Sequence, residues 1–437
     1  MSMNSAFVQW ISRRFPENLN PVFVKEMRQI LHSGIPQSLI LILILSGVVS
    51  LLLGAGCYNS NDLVTSFSVY QVFLGGMMLI TPLWSTAHSA QERAQDGIAP
   101  ELSTVLSPSV IFNGKLQAVL LTDLVIFLAG LPFLICFYAR QTELALLSVS
   151  HWTTLLPCTI LFLVGERKSG KNLHSNNFCQ FVSLLFVVLL LTFDFSRERG
   201  MPEYMSIILK LFLAVYFYIW GIACLKPENS NRMFLPRLAG LFLLAASLLL
   251  ILMGSGMEFL RTGGCVFAYI CGFYAAFSLL LSLNEPLKPS ARCLRGMPKA
   301  PFDRLMAVFR TGAYPGYWYS AGIMAVGLVI LYHARPLVRN ADARIVLPFG
   351  MMLTTLFYAT VALLLKPYFK ISGAFLFLLV LGAGAILATL SPYIPDAQIF
   401  CFFYSTDGIS SRQIAVCLVP VVLLLIRQLY QRFRDRS

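Results

Sequence analysis

Between Leu39 and Leu53 the chain is apolar almost without break, and stretches of this kind recur along all 437 residues. A peptide group left unpaired in hydrocarbon costs several kcal/mol, so a chain crosses a bilayer core of about 30 Å as a helix of about 20 apolar residues or as a closed barrel. Barrel strands are about ten residues long and alternate in polarity. Leu39 to Leu53 does not alternate. The pattern predicts twelve helical spans, near 37–56, 64–86, 116–138, 144–165, 177–195, 204–225, 237–255, 264–283, 318–334, 345–365, 371–390 and 412–427, the last one short. Length alone would permit about three soluble domains. With 57% hydrophobic and only 12% charged residues, and a mean hydropathy of +0.73, the chain lacks the polar surface to coat them. The expected fold class is all-α: a polytopic integral membrane protein of about 12 transmembrane helices, preceded by an N-terminal interfacial helix.

Lys and Arg concentrate in short cytoplasmic loops of membrane proteins. With the N-terminus inside and twelve crossings, 24 of the 33 basic residues fall on the cytoplasmic side and 8 opposite, with Lys210 inside a span. Both termini are therefore expected in the cytoplasm, and the chain in the inner (cytoplasmic) membrane. The net charge of +13 is scattered over span ends, where anionic lipid headgroups lie, so membrane lipid is an expected partner and nucleic acid is not. The first 36 residues are too polar for a signal sequence and offer no small-residue cleavage site, so insertion without cleavage is expected. The ten cysteines form no C-x-x-C pair or metal-like Cys/His cluster; a disulfide between Cys57 and Cys401, both on the predicted outer side, is open.

Three polar segments organise the chain. Residues 1–36 form the first. Asn20 can accept an orphan amide bond and Pro21 lacks the donor that would go unpaired, so a helix should begin there. Phe23, Met27, Ile30 and Leu31 share one face, Lys25, Glu26 and Arg28 point away, and Gly34 with Pro36 ends it. The helix is expected to lie flat in the cytoplasmic interface, as an anchor or with a further duty, and the first span to rise from Gln37. The second segment, 87–115, interrupts a membrane region of about eight spans over 37–283. Gln91 to Asp96 is helix-compatible, Asp96-Gly97 marks a turn, and Pro100 can start a short helix with Leu102, Val105 and Leu106 on one side, stopped at Ser107-Pro108. Such a pinned amphipathic helix suits docking of a soluble partner; a plain connector is the alternative. The third, 284–317, is Pro-rich, holds six basic residues and an amphipathic patch of Phe302, Leu305, Met306 and Phe309, and reads as an interfacial linker before four further spans over 318–437. No internal repeat is strong enough to align the halves, which speaks against a twofold transporter of six plus six spans, where the long loop would be expected between the sixth and seventh.

Chemistry inside a membrane needs convergent polar groups. The spans offer few: Asp123, His151, Asp194 and Lys210, with His333 near an outer end. Asp123 lies eight residues past Lys115, about 12 Å into the membrane at 1.5 Å per residue, and reads either as a hydrogen-bonded structural group or as a pathway residue. Gly165 to Asn172 fits G-x-x-x-x-G-K but has Asn172 where Ser or Thr should meet magnesium, and lacks a preceding strand. No soluble stretch is long enough for a nucleotide-binding fold, so neither ATP nor magnesium nor any other cofactor is expected on this chain. Pro82, Pro132, Pro157, Pro348 and Pro420 fall inside spans and permit kinks.

Two segments taken together resemble the permeases of the ABC type-2 family. Asn20-Pro21-Val22-Phe23-Val24-Lys25-Glu26-Met27-Arg28 is similar to that family's connecting helix before the first span. Glu92-Arg93, then Pro100-Glu101-Leu102-Ser103-Thr104-Val105-Leu106-Ser107-Pro108, then Asn113-Gly114-Lys115-Leu116, is similar to its stretch after the second span: an acidic-basic pair, a coupling helix, a Ser/Thr-Pro stop and a Gly-Lys opening the third span. The likeness covers about the first 140 residues. Ile98-Ala99 replaces the usual Gly-Thr, and the family core has six spans per subunit where this chain has twelve, leaving the last six without an assigned role.

The resemblance implies a non-enzymatic membrane subunit that pairs with a second permease subunit, identical or related, and recruits two copies of a separate ATP-binding subunit carrying ATP and magnesium. By position, Glu101 to Pro108 would contact that ATPase with Glu92 and Arg93 at its base, while Phe23, Met27 and Ile30 belong to the connecting helix. The rival expectation is an ion-coupled secondary transporter using Asp123 and Asp194. An integral membrane enzyme or a scaffold is further off, for want of a clustered polar site.

Overall fold

The structure is a computed structural model that describes residues 20–55, 60–96, 106–140, 143–164, 203–226, 231–253, 312–334, 342–368 and 419–428, with isolated positions at 267–287, 309, 376, 380 and 430. All regular structure among the described residues is helical. The chain forms two compact units, 1–226 and 227–437, each holding six of the twelve apolar stretches.

In the first unit, α1 (Pro21–His32) begins as its sequence dictates, with Asn20 Oδ1 accepting the Val22 amide and Pro21 in the first turn. It ends at His32. Gly34, at φ +71°, makes the left-handed joint that only glycine takes at little cost, and α2 (Ile35–Ala55) starts there rather than at Gln37. The helix α3 (Ser60–Asp96) has 37 residues, about 55 Å at 1.5 Å per residue, so it outruns a bilayer core and carries Gln91 to Asp96 beyond it. Next come α4 (Pro108–Arg140), α5 (Glu143–Val164) and α6 (Glu203–Leu225). Leu39 and Leu43 of α2, Phe67, Tyr70 and Leu74 of α3, and Ile126, Leu134 and Phe137 of α4 build one core. Phe67 meets Phe137 edge-on at 5.5 Å.

The second unit contains α7 (Phe234–Met253), α8 (Ala313–Ala334) and α9 (Asp342–Leu365), with helical residues at 267–283 and 419–428. The two ends of the 284–317 segment lie in its core: Glu285, Ala313 and Tyr317 are buried. Phe309 packs on Tyr319 at 5.7 Å and on Phe234 at 6.1 Å.

Polarity runs opposite to that of a water-soluble bundle. Leu41, Leu45 and Leu52 of α2 stand 59–69% exposed, and Leu128 and Ile135 of α4 are exposed too, whereas Gln71, Thr81, Ser85, Thr122, Asp123, Thr154 and Thr159 are buried. An apolar outer surface this continuous needs an apolar solvent. Among the described residues three helices are long and apolar enough to cross a membrane, Ile35–Leu52, Ser66–His88 and Pro108–Ala139, and five shorter apolar helices accompany them. The chain is an all-α protein of membrane-spanning character.

Candidate functional site

The residues singled out before the first span and around the third meet in one place. Asn20 caps α1 with its oxygen and donates its Nδ2 to the Val110 carbonyl in the first turn of α4, at 2.6 Å. Two turns on, Glu26 pairs with Lys115 of α4 at 3.3 Å and accepts a hydrogen bond from Ser85 of α3 at 3.2 Å. Glu26 and Lys115 are each only 2% exposed. The Thr122 hydroxyl reaches Met27 Sδ at 4.0 Å. Between Asn20 and Glu26 the two helices close on Gly114, where a Cβ would lie 2.7 Å from Val22 Cβ and 2.9 Å from Phe23 N.

This geometry corrects two expectations. The buried line of α1 is Val22, Glu26 and Ile30, while Phe23, Met27 and Leu31 are half-buried; the helix is rotated so that Glu26 faces inward, and of the residues expected to point away Arg28 is the exposed one. The cause is Lys115: a buried ammonium draws the one carboxylate of α1 into the joint, since an unpaired charge there is far costlier than a turn of the helix. Gly114-Lys115 does not open the third helix either. Helix α4 starts at Pro108, with Ser107 Oγ meeting the Val110 amide at 3.4 Å, so Gly114 and Lys115 sit inside it, about two turns past the proline. Pro108 begins α4, because a first-turn residue needs no amide donor.

Glu92 and Arg93 ride on the last turns of α3. Leu106 is half-buried and Ser107 exposed. Glu101, Leu102 and Val105 lie outside the described residues, as do Cys57, Cys401, Asp194 and the Gly165–Asn172 stretch. The side chains of Glu92, Arg93, His151 and His333 are likewise outside them.

Deeper in the first unit, Asp123 of α4 is buried with Thr81 of α3 and Thr159 of α5 as its polar side-chain neighbours. Neither carboxyl oxygen, nor the Thr81 hydroxyl, completes a well-formed hydrogen bond. Pro82 and Pro157 stand within two residues of these threonines, so both flanking helices lack a backbone donor near the carboxyl. Such a centre can take a hydrogen-bonding or cationic group.

The second unit holds a polar node that sequence reasoning passed over. The Glu285 carboxylate faces Arg237 at 3.6 Å and Arg232 at 3.7 Å and accepts the Gly312 amide at 2.5 Å. Arg237 also donates to Ser282 at 3.2 Å, and Lys366 caps the Leu283 and Glu285 carbonyls. Apart from Arg232, five positions before Arg237, its parts are 45 to 129 positions from Arg237, and no local motif marks them. Among the described residues no group of three His, Cys, Asp or Glu side chains could hold a metal ion. Comparison with known protein families, curated proteins and solved structures found no match to the chain.

Proposed function

We propose that this chain is the membrane-spanning permease of an ATP-binding cassette exporter of the type-2 class, in the inner membrane with both termini cytoplasmic. ATP and magnesium reside on a separate subunit present in two copies, and the cargo is left open. The observation that carries the reading is the Glu26–Lys115–Ser85 joint. It fastens the interfacial helix to both membrane helices that flank residues 97–105, so a push delivered to that segment by ATPase closure reaches the membrane through rigid, buried contacts. Each ligand state shifts such a pair of conformations only by its differential affinity.

Contacts at the helix ends support twelve crossings. Helix α5 begins three residues after α4 ends and so runs back beside it. Tyr218, two turns before the end of α6, donates to Asn113 near the start of α4 at 2.7 Å, so α6 ends on the face where α4 begins and α5 ends. This arrangement favours an odd number of crossings between them, and 177–195 is the apolar stretch available in the sequence. In the second unit Arg427 donates to the Leu364 carbonyl at the end of α9, at 2.6 Å, which asks the same of 371–390.

The test is purification from native membranes. Wild type is expected to carry an ATPase with orthovanadate-sensitive hydrolysis, and Leu102→Asp with Leu106→Asp to bring hydrolysis to background while insertion persists. Full hydrolysis in that variant contradicts the docking assignment. One observation, the Asp123 centre, favours a second reading, ion-coupled secondary transport.

A further inference from the structure

Each compact unit contains six apolar stretches, and several described contacts inside one unit have a counterpart in the other. Two helix contacts and one polar node carry the correspondence: in the first unit, the sixth residue of the third-span helix α4, Asn113, bonds to the last turns of the sixth span through Tyr218. In the second, the sixth residue of α8, Trp318, donates to Gln428 in the last described turn of the final helix at 3.0 Å. Counted within its own unit, α8 is the third stretch and the final helix the sixth. The fourth and sixth stretches also touch in both: α5 packs along α6 in the first unit, and Arg427 reaches Leu364 of α9 in the second.

The polar nodes correspond as well. The first joins the approach to span one (Glu26), the end of span two (Ser85) and the start of span three (Lys115). The second joins comparable places in its unit: Arg237 in the first turn of α7, where the first unit uses the separate helix α1, Ser282 and Glu285 at the end of the following stretch, and Gly312 just before α8. The charges are arranged differently: the acid of the second node, Glu285, stands at the end of its second stretch, where the first node has Ser85, and it faces two arginines rather than one lysine. A glycine admits the close approach in each, Gly114 against Val22 and Gly316 against Ser282 and Arg237. Apart from Ser85 and Ser282 and the two glycines, the residues that carry these contacts differ, and this explains why no repeat is visible in the sequence.

Six crossings per unit start both units on the same side of the membrane, the arrangement of a parallel repeat. We propose that residues 1–226 and 227–437 are two copies of one permease half fused in a single chain, so that one chain, without a second permease subunit, engages both ATPase copies. The stoichiometric part rests on the function proposed above; the repeat itself does not.

Native mass spectrometry of the full chain purified in mild detergent from its own membranes tests both. One 48.7 kDa chain per assembly is expected, with two ATPase copies bound. Two chains per assembly, or one ATPase per chain, overturns the fused-pair inference. One chain with no ATPase in any preparation upholds the single-chain permease and refutes the ATPase reading instead. Lys115→Met and Arg237→Met, made singly, provide a second measure: each is expected to lower the melting midpoint, and by amounts within about twofold of each other. A loss confined to one of them contradicts equivalence of the nodes.

Discussion

Glu26 and Lys115, 89 positions apart, form an ion pair at 3.3 Å with almost no exposure of either side chain. Removing one member of such a pair strands the other charge, a loss of about 3–5 kcal/mol, whereas replacing both with apolar groups is close to neutral. Glu26→Gln and Lys115→Met are each expected to lower unfolding stability in detergent by that order, and the double Glu26→Leu/Lys115→Met to recover most of it. Additive losses would show that the two residues act separately.

Asn20 does two things at once, capping α1 and holding Val110. Asn20→Asp keeps the cap oxygen and loses the donor; Asn20→Ala loses both. A cap is worth about 1 kcal/mol and a stranded carbonyl about 1–3 kcal/mol. The expected order of denaturation midpoints is wild type, then Asn20→Asp, then Asn20→Ala.

Gly114 sits where α1 and α4 touch, and a Cβ there has no room beside Val22 and Phe23. Gly114→Ala is expected to lift α1 away and to speed tryptic cleavage after Arg28, an exposed residue of α1, severalfold. Gly322 has nothing near its Cβ position, so Gly322→Ala is the matched control that leaves cleavage unchanged.

Asp123 separates ATP-driven from ion-coupled transport. If ATP supplies the energy, hydrolysis proceeds equally in sodium, potassium and choline chloride, and Asp123→Asn retains it. Dependence on one cation that disappears in Asp123→Asn is the signature of ion coupling.

Much of this architecture is legible in the sequence because lipid imposes a simple rule on apolar run length. The helices over 35–55, 203–225 and 342–365 begin and end within a few residues of the stretches expected from hydropathy. The Asn20-Pro21 start of α1 is equally local, and it is found where its two residues predict it. Orientation about the helix axis is not local. The amphipathic pattern of α1 points Glu26 outward; a lysine in another helix turns it inward. The second node lies further from any motif, since Arg237, Glu285, Gly312 and Lys366 are each ordinary at their own positions and acquire meaning only when four segments converge. Pro108 reads as a stop from its left and as a start from its right, and the structure selects the second role for α4.

The account turns on the side of the membrane at which α3 and α4 are joined. A single cysteine at Ser103, introduced with the native cysteines kept and its modification assigned by peptide mass, reports this directly with a membrane-impermeant maleimide. The account predicts labelling in inverted membrane vesicles and protection in sealed right-side-out vesicles. Labelling in right-side-out vesicles, with protection in inverted ones, would contradict it.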